Sequence, residues 1–156
     1  MTPLDDNADT IALASDHAGY QLKERVKAWL QIRGHSVRDL GTDSEESVDY
    51  PDYAQQVARA VSDGENTRGV LICGTGLGMS YAANRYPRVR AALCWSEDAA
   101  MLSRTHNDAN ILILPGRLPT SDSVEDILSA FLETPFSNEE RHQRRLGKID
   151  SRGDAS

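Results

Sequence analysis

Short apolar runs alternate along this chain with segments in which apolar residues recur at helical spacing. The short runs have the length and composition of buried strands, and they predict strands at 10–15, 35–40, 69–73, 89–93 and 111–114. The spaced segments predict helices at 20–32, 51–61, 77–84, 97–103, about 121–132 and about 137–149. The chain therefore alternates strand and helix along nearly its whole length.

Alternation of this kind favours a parallel sheet with helices on both faces. Right-handed crossovers then give an α/β, Rossmann-like three-layer sandwich around a five-stranded parallel sheet. We assign a single domain to residues 10–150, with flexible ends at 1–9 and 151–156. Ligands bind such sheets beyond the carboxyl ends of the strands, so polar residues that follow the strands are the functional candidates.

Composition narrows the class of protein. The net charge of −7 disfavours nucleic acid or an anionic membrane as the main partner. No apolar run approaches the ~20 residues that a bilayer requires, and the acidic start of the chain is unlike a signal peptide. The two cysteines, Cys73 and Cys94, make no disulfide framework and predict a cytoplasmic protein.

The third predicted strand ends at Cys73 and leads into a turn with glycines at 74, 76 and 78, before a helix begins. Glycines let backbone N–H groups approach a ligand closely, and a helix N-terminus adds partial positive charge. A cysteine in that setting is favoured as a thiolate, which can act as a base or a nucleophile. Taken alone, a cysteine at a strand end, such as Cys73, is more often an inert buried thiol.

Other loops carry side chains suited to acid–base chemistry or anion binding. We expect four loops to meet at one edge of the sheet, where they would bring together Asp16, His17, Cys73, His106, Asn107 and Arg117. Each has a simpler alternative: Asp16 could cap a helix beside a solvated His17, and His106 and Asn107 could satisfy loop backbone groups. Because all of these side chains are expected at one edge of the sheet, a shared site is the better interpretation.

Arginine dominates the basic residues, with 14 arginines against 3 lysines. Arg141 and Arg145 are four residues apart on a predicted helix and share a face, where two guanidinium groups could hold a phosphate. The alternative is a solvated helix with Glu–Arg pairs, because Glu139 and Glu140 precede the arginines.

Several well-known site motifs do not fit this sequence. A cysteine phosphatase loop would need arginine at position 79, which is Met79, and a nucleotide P-loop would need a lysine that is absent here. The glycine turn follows the third strand rather than the first, unlike a dinucleotide fingerprint, and no His or Cys pair has zinc-ligand spacing. We therefore expect a small anionic ligand, acid–base chemistry, no metal and no cofactor.

Four motifs together resemble the type B ribose-5-phosphate isomerases, a family that includes the bacterial galactose-6-phosphate isomerase subunits. In order along the chain, the motifs lie at 16–19 (DHAG), 49–54 (DYPDYA), 72–78 (ICGTGLG) and 106–110 (HNDAN). The resemblance covers about residues 10–148. It implies an enzyme of carbohydrate metabolism that interconverts aldose and ketose phosphates through a cis-enediol, without metal.

The resemblance also implies a role for each matching residue. Cys73 would be the base that moves a proton between C1 and C2, because Met79 stands where some relatives have a glutamate base. The enediolate would be stabilised by the backbone amides of Gly74, Thr75, Gly76, Leu77 and Gly78, and Thr75 and Asp16 would both count among the catalytic residues. His106 would open the sugar ring, and Asp16 and Asn107 would hold hydroxyls and the ring oxygen. The phosphate would be bound by His17, Arg117, Arg141 and Arg145, and Tyr50 would line the pocket.

We therefore predict an isomerase of ribose 5-phosphate and ribulose 5-phosphate. The same chemistry on a tetrose or hexose phosphate, and a non-catalytic sugar-phosphate-binding module, are the alternatives. The resemblance further implies a homodimer or homotetramer whose sites are shared, with His106, Asn107 and the C-terminal arginines reaching the Cys73 loop of a neighbouring subunit.

Overall fold

A computed structural model describes the backbone of residues 9–154 and the side chains of residues 9–151. Five strands form one parallel sheet: β1 Ile11–Ser15, β2 Val37–Asp39, β3 Arg68–Cys73, β4 Ala91–Leu93 and β5 Ile111–Pro115. Their order across the sheet is β2-β1-β3-β5-β4. The six helices are α1 Tyr20–Ile32, α2 Tyr50–Ser62, α3 Leu77–Ala83, α4 Glu97–Thr105, α5 Val124–Glu133 and α6 Glu140–Asp154.

The two faces of the sheet bury different helices, because successive side chains of a strand point to opposite faces. Leu13, Ile72 and Leu112 belong to the face that packs against α1, α4 and α5. Ala12 and Leu71 belong to the opposite face, which packs against α2 and α3. The predicted three-layer α/β fold with a five-stranded parallel sheet is confirmed.

The element bounds differ from prediction mainly at the sheet's edges. Strand β2 starts at Val37 rather than at 35, because the His35 amide still donates to Leu30 O at the end of α1. Strand β4 likewise covers only Ala91–Leu93. Helix α6 continues to Asp154, beyond the predicted end near 149. The predicted flexible N-terminus falls almost wholly outside the described residues.

The strand order places a switch point between β1 and β3. After β1 the chain crosses outward to β2, and after β3 it crosses toward the other side of the sheet. The loops that follow these two central strands therefore diverge and leave a crevice at their carboxyl ends. Asp16 follows β1 and Cys73 ends β3, so two of the predicted site residues flank that crevice. None of the helices described between residues 9 and 154 is long and apolar enough to span a bilayer.

Candidate active site

Asp16 lies at the crevice as the residue that follows β1. Its backbone amide donates to Ile72 O (3.2 Å), and its Oδ1 accepts from the Gly19 amide (3.1 Å) at the start of a short 3-10 turn. Ser15 pairs with Ile72 in the parallel register, which sets Asp16 beside Cys73 on the α2/α3 side of the sheet. The carboxyl group is thus a helix cap, as one alternative held, and only 5% of Asp16 is exposed.

Cys73 ends β3 directly beneath the glycine turn, and 4% of the residue is exposed. Gly76 adopts a left-handed conformation (φ +81°), and a Cβ there would lie 2.5 Å from Leu93 Cδ1, so the turn requires glycine. The Thr75 hydroxyl oxygen accepts from the Leu77 amide (3.1 Å), which leaves its hydrogen available to a ligand. The turn therefore places a thiol, a hydroxyl donor and a helix N-terminus together.

Three neighbouring segments complete this edge of the sheet. The Tyr50 ring packs on the turn, where a Cβ on Gly78 would lie 2.6 Å from ring atoms. The Arg117 amide donates to Gly74 O (2.9 Å), which fixes the residue after β5 against the turn. His17 Nδ1 accepts from the Val48 amide (3.1 Å), so the neutral imidazole presents Nε2–H as a donor elsewhere.

His106 and Asn107 lie at the opposite end of the sheet. Helix α4 runs back from the end of β4, so the residues after it precede β5. In that loop the Asn110 amide donates to Arg90 O, and Asn110 O accepts from the Gly69 amide at the start of β3. A five-residue strand rises about 3.3 Å per residue, so roughly 15 Å separates the two ends. The expectation that four loops of one chain share an edge is therefore wrong.

The second group is a cationic cluster around His106, which is exposed. Its ring stacks on that of His142, with centroids 4.4 Å apart and planes at 17°. Arg141 and Arg145 flank His142 on α6, and both are exposed. Arg141 pairs with Glu139 at 3.1 Å, and Arg144 pairs with Glu140 at 3.3 Å, so the predicted Glu–Arg pairs are also present.

Sequence reasoning assigned no role to His142. It lies between the two arginines of interest and is 5% exposed. Burial, His106 and Arg141 together lower the pKa of the His142 imidazole, with Arg145 adding to this and Glu139 opposing it. The Arg141 Nε–H donates to His142 Nε2 (3.4 Å), which requires that nitrogen to be unprotonated. The only sign in the sequence that His142 belongs to this cluster was its position between Arg141 and Arg145.

Cys94 belongs to the core, as predicted. It packs on the α1, α4 and α5 side of the sheet, away from Cys73. Burial raises the pKa of its thiol to about 11, so it stays protonated at neutral pH. Within the described residues, no three His, Cys, Asp or Glu side chains are grouped as metal ligands.

The chain divides its candidate groups between two ends. One end offers a thiol, a carboxylate and a glycine turn beside a histidine and an arginine, which suits proton transfer next to a bound anion. The other offers an imidazole, an amide and two guanidinium groups, which suits an acid–base step and phosphate binding. Among the described residues of one chain, no member of the His106 cluster lies at the Cys73 end of the sheet.

Comparison with known proteins identifies the family. A family model described as Ribose/Galactose Isomerase matches residues 11–149. Ribose-5-phosphate isomerase B of Escherichia coli (strain K12) is 45% identical over 139 residues, which are 89% of this chain and 93% of that protein.

Solved structures agree with this. A ribose 5-phosphate isomerase of Thermotoga maritima has a TM-score of 0.87 and 56% identity, and the match covers 91% of this chain and 97% of that one. Ribose-5-phosphate isomerase B of Clostridium thermocellum has a TM-score of 0.89 and 47% identity, covering 94% and 98%. The predicted enzyme class, a sugar-phosphate isomerase, is confirmed. The chain belongs to the ribose/galactose isomerase family.

The environment of His142 predicts that its imidazole titrates at a lowered pH. Because its pKa is lowered in the native state, the native protein binds this proton less readily than the unfolded chain does. This histidine therefore stabilises the fold less as the pH falls below about 6.5. In a proton NMR titration, the ring resonance that disappears in the His142→Phe variant should move at a lower pH than an unperturbed histidine. Movement at the ordinary pH or above it would contradict the described environment.

Proposed function

We propose that this protein interconverts D-ribose 5-phosphate and D-ribulose 5-phosphate by metal-free proton transfer through a cis-enediol. One observation carries the proposal: Cys73 ends a central strand at the switch point, beneath a glycine turn and beside Asp16. The names of the E. coli, T. maritima and C. thermocellum relatives support ribose 5-phosphate as the substrate. The cytoplasmic location stays a prediction.

The proton transfer uses the Cys73 end. With the open-chain aldose bound, the thiolate of Cys73 removes the proton on C2, and the electrons move onto the C1 carbonyl oxygen to form the enediolate. The Thr75 hydroxyl stabilises that oxygen together with amides of the 74–78 turn other than that of Leu77, which donates to Thr75 Oγ1. Each well-placed donor contributes about 3 kcal/mol. A proton then passes from O2 to O1, and the Cys73 thiol returns its proton to C1, which gives the ketose and regenerates the thiolate.

Ring opening and substrate holding use both ends. His106 moves the proton between the O1 hydroxyl and the ring oxygen, and Asp16 and Asn107 orient the sugar hydroxyls. The phosphate binds to His17, Arg117, Arg141 and Arg145. Anchoring the phosphate far from C1 and C2 lets binding energy hold the reacting carbons beside the sulfur. The negative net charge does not oppose this, because nearby arginines dominate within a Debye length of about 8 Å.

The position of His106 supports an assembly with shared sites. One chain holds the Cys73 turn and His106 at opposite ends of its sheet, and the proposed reaction needs both at one sugar. A second copy that presents its His106, Asn107, Arg141 and Arg145 to the first copy's Cys73 completes the site. We therefore propose a homodimer, or a homotetramer built from such dimers.

Substrate choice is tested with a panel of tetrose, pentose and hexose phosphates. The purified protein should isomerise ribose 5-phosphate with a kcat/KM at least about tenfold above those for erythrulose, allose and galactose phosphates. A tetrose or hexose phosphate that equals or exceeds ribose 5-phosphate would assign the chemistry to that sugar instead. The length of the pocket, from the Cys73 turn to the partner's arginines, decides between them.

Replacing the proposed base tests the mechanism. Cys73→Ser should lower kcat by about 10²–10⁴-fold, because a serine hydroxyl is a far weaker base than a thiolate, while KM stays close to that of the wild type. Cys94→Ala is the matched control, since it removes the other thiol from the far side of the sheet and should keep full turnover. Near-normal turnover by Cys73→Ser would reject the assignment.

Mixed assemblies test the sharing of sites. Cys73→Ser and His106→Asn subunits, each nearly inactive alone, are co-expressed with different tags, and the hybrid is purified. One of the two sites in a hybrid dimer receives an intact Cys73 and an intact His106, so about half of the wild-type activity should return. A hybrid as inactive as its parents would show that each site is built within one chain.

A further inference from the structure

Helix α1 contains a lysine that the proposed mechanism does not use. The Lys23 side chain is 1% exposed and is among the largest fully buried side chains of the described residues. Its Nζ lies 2.7 Å from Asp39 Oδ2 and 2.8 Å from Glu24 Oε1. Lys27 Nζ reaches the same Asp39 oxygen at 3.1 Å. Taking these charges out of water costs free energy, and buried ion pairs seldom stabilise a fold more than apolar packing would.

Both partners of this pair remain charged at neutral pH. Burial opposes the charge of Lys23, but its hydrogen bonds to Asp39 and Glu24 outweigh that effect and raise its pKa. Burial also opposes the charge of Asp39, yet hydrogen bonds from Lys23, the Gly41 amide and Lys27 lower the pKa of its carboxyl group. The pair is therefore a fixed ionic contact under ordinary conditions.

Asp39 connects this contact to the backbone at the crevice. Its Oδ1 accepts from the Gly41 amide at 2.9 Å. Gly41 O in turn accepts from the Ser15 amide (2.7 Å), and the Thr42 amide donates to Ser15 O (2.8 Å). The backbone of Gly41 and Thr42 thus holds the backbone N–H and C=O of Ser15, the residue immediately before Asp16.

The same anchor begins the segment that runs over the site. From Thr42 the chain reaches Val48, whose amide donates to His17 Nδ1 (3.1 Å), and then Tyr50 against the glycine turn. On the outer side, Gly41 and Thr42 line an open cleft of about 680 Å³ that Lys23 and Asp39 also border. Because this cleft leaves the outer side of Gly41 and Thr42 incompletely packed, their hydrogen bonds to Asp39 and Ser15 fix the start of the 43–49 segment.

We infer that the ion pair between buried Lys23 and half-buried Asp39 is a positioning element of the active site. The pair holds Gly41 and Thr42 against Ser15 and so places Asp16 and the 43–49 segment over the substrate. Lys23 is too deeply buried to touch the sugar, and it acts through Asp39 and the backbone. The inference rests on the proposed function of this end of the sheet.

The test separates positioning from simple stabilisation. The variants are Lys23→Met, Asp39→Asn and the double variant Lys23→Met/Asp39→Leu, which replaces the ion pair with apolar side chains. Arg25→Met is the matched control, because it breaks an exposed ion pair of the same helix with Glu125 (2.6 Å). Melting temperature, kcat, KM with ribose 5-phosphate and amide hydrogen exchange at Gly41 are measured for each.

Lys23→Met and the double variant should lose about 10–100-fold in kcat/KM, because small misplacements of binding groups carry large rate penalties. The double variant should melt at or above the wild-type temperature while remaining slow, and exchange at Gly41 should be about tenfold faster in both variants. Asp39→Asn keeps an oxygen for the Gly41 amide and should be intermediate. Arg25→Met should match the wild type in activity and in exchange.

A double variant that folds with wild-type activity and wild-type exchange at Gly41 would overturn the inference. If Lys23→Met fails to fold, the double variant and Asp39→Asn decide the question. Hydrogen exchange does not depend on which sugar is the substrate. A wild-type protein inactive on ribose 5-phosphate would therefore refute the proposed function, while exchange at Gly41 would still test the positioning.

Discussion

All five strands of the sheet run in the same direction, and this is the constraint on which the rest of the structure depends. Each crossover helix returns the chain to the opposite edge of the sheet, so residues after a strand and residues before a strand cannot meet within one copy. Cys73 ends a strand, and Asp16 and Arg117 follow strands at the same end of the sheet. His106 and Asn107 precede β5 at the other end. The same geometry that builds the crevice separates the two parts of the proposed chemistry, and it makes a second copy the natural way to join them.

Local electrostatics supports this division in an acidic protein. Arg141 and Arg145 supply positive charge at one end, beside the stacked imidazoles of His106 and His142. The other end relies on oriented backbone amides, one arginine and a buried carboxylate. Beneath it, the charge of the buried Lys23 is matched by the half-buried carboxylate of Asp39. The charged residues that matter are therefore few, and their placement rather than their number suits them to a phosphorylated sugar.

The sequence predicted the sheet because its signals were local. Apolar runs marked β1, β3 and β5, and the glycines after Cys73 marked a turn that Gly76 in fact requires. The position of His106 could not be read in this way, because its motif shows that the loop carries chemistry but not at which end of the sheet the loop lies. Strand order and chain direction would have corrected the expectation. The His106–His142 stack and the Lys23–Asp39 pair join residues far apart in the sequence, so no local pattern predicted them.

A crystal structure of the Cys73→Ser variant with ribose 5-phosphate tests the central claim most directly. The account predicts one sugar phosphate in each crevice, with C1 and C2 beside Ser at position 73 and the phosphate held by Arg141 and Arg145 of a second copy. A sugar phosphate bound at the carboxyl edge by residues of a single chain, with every His106 distant from it, would contradict the account.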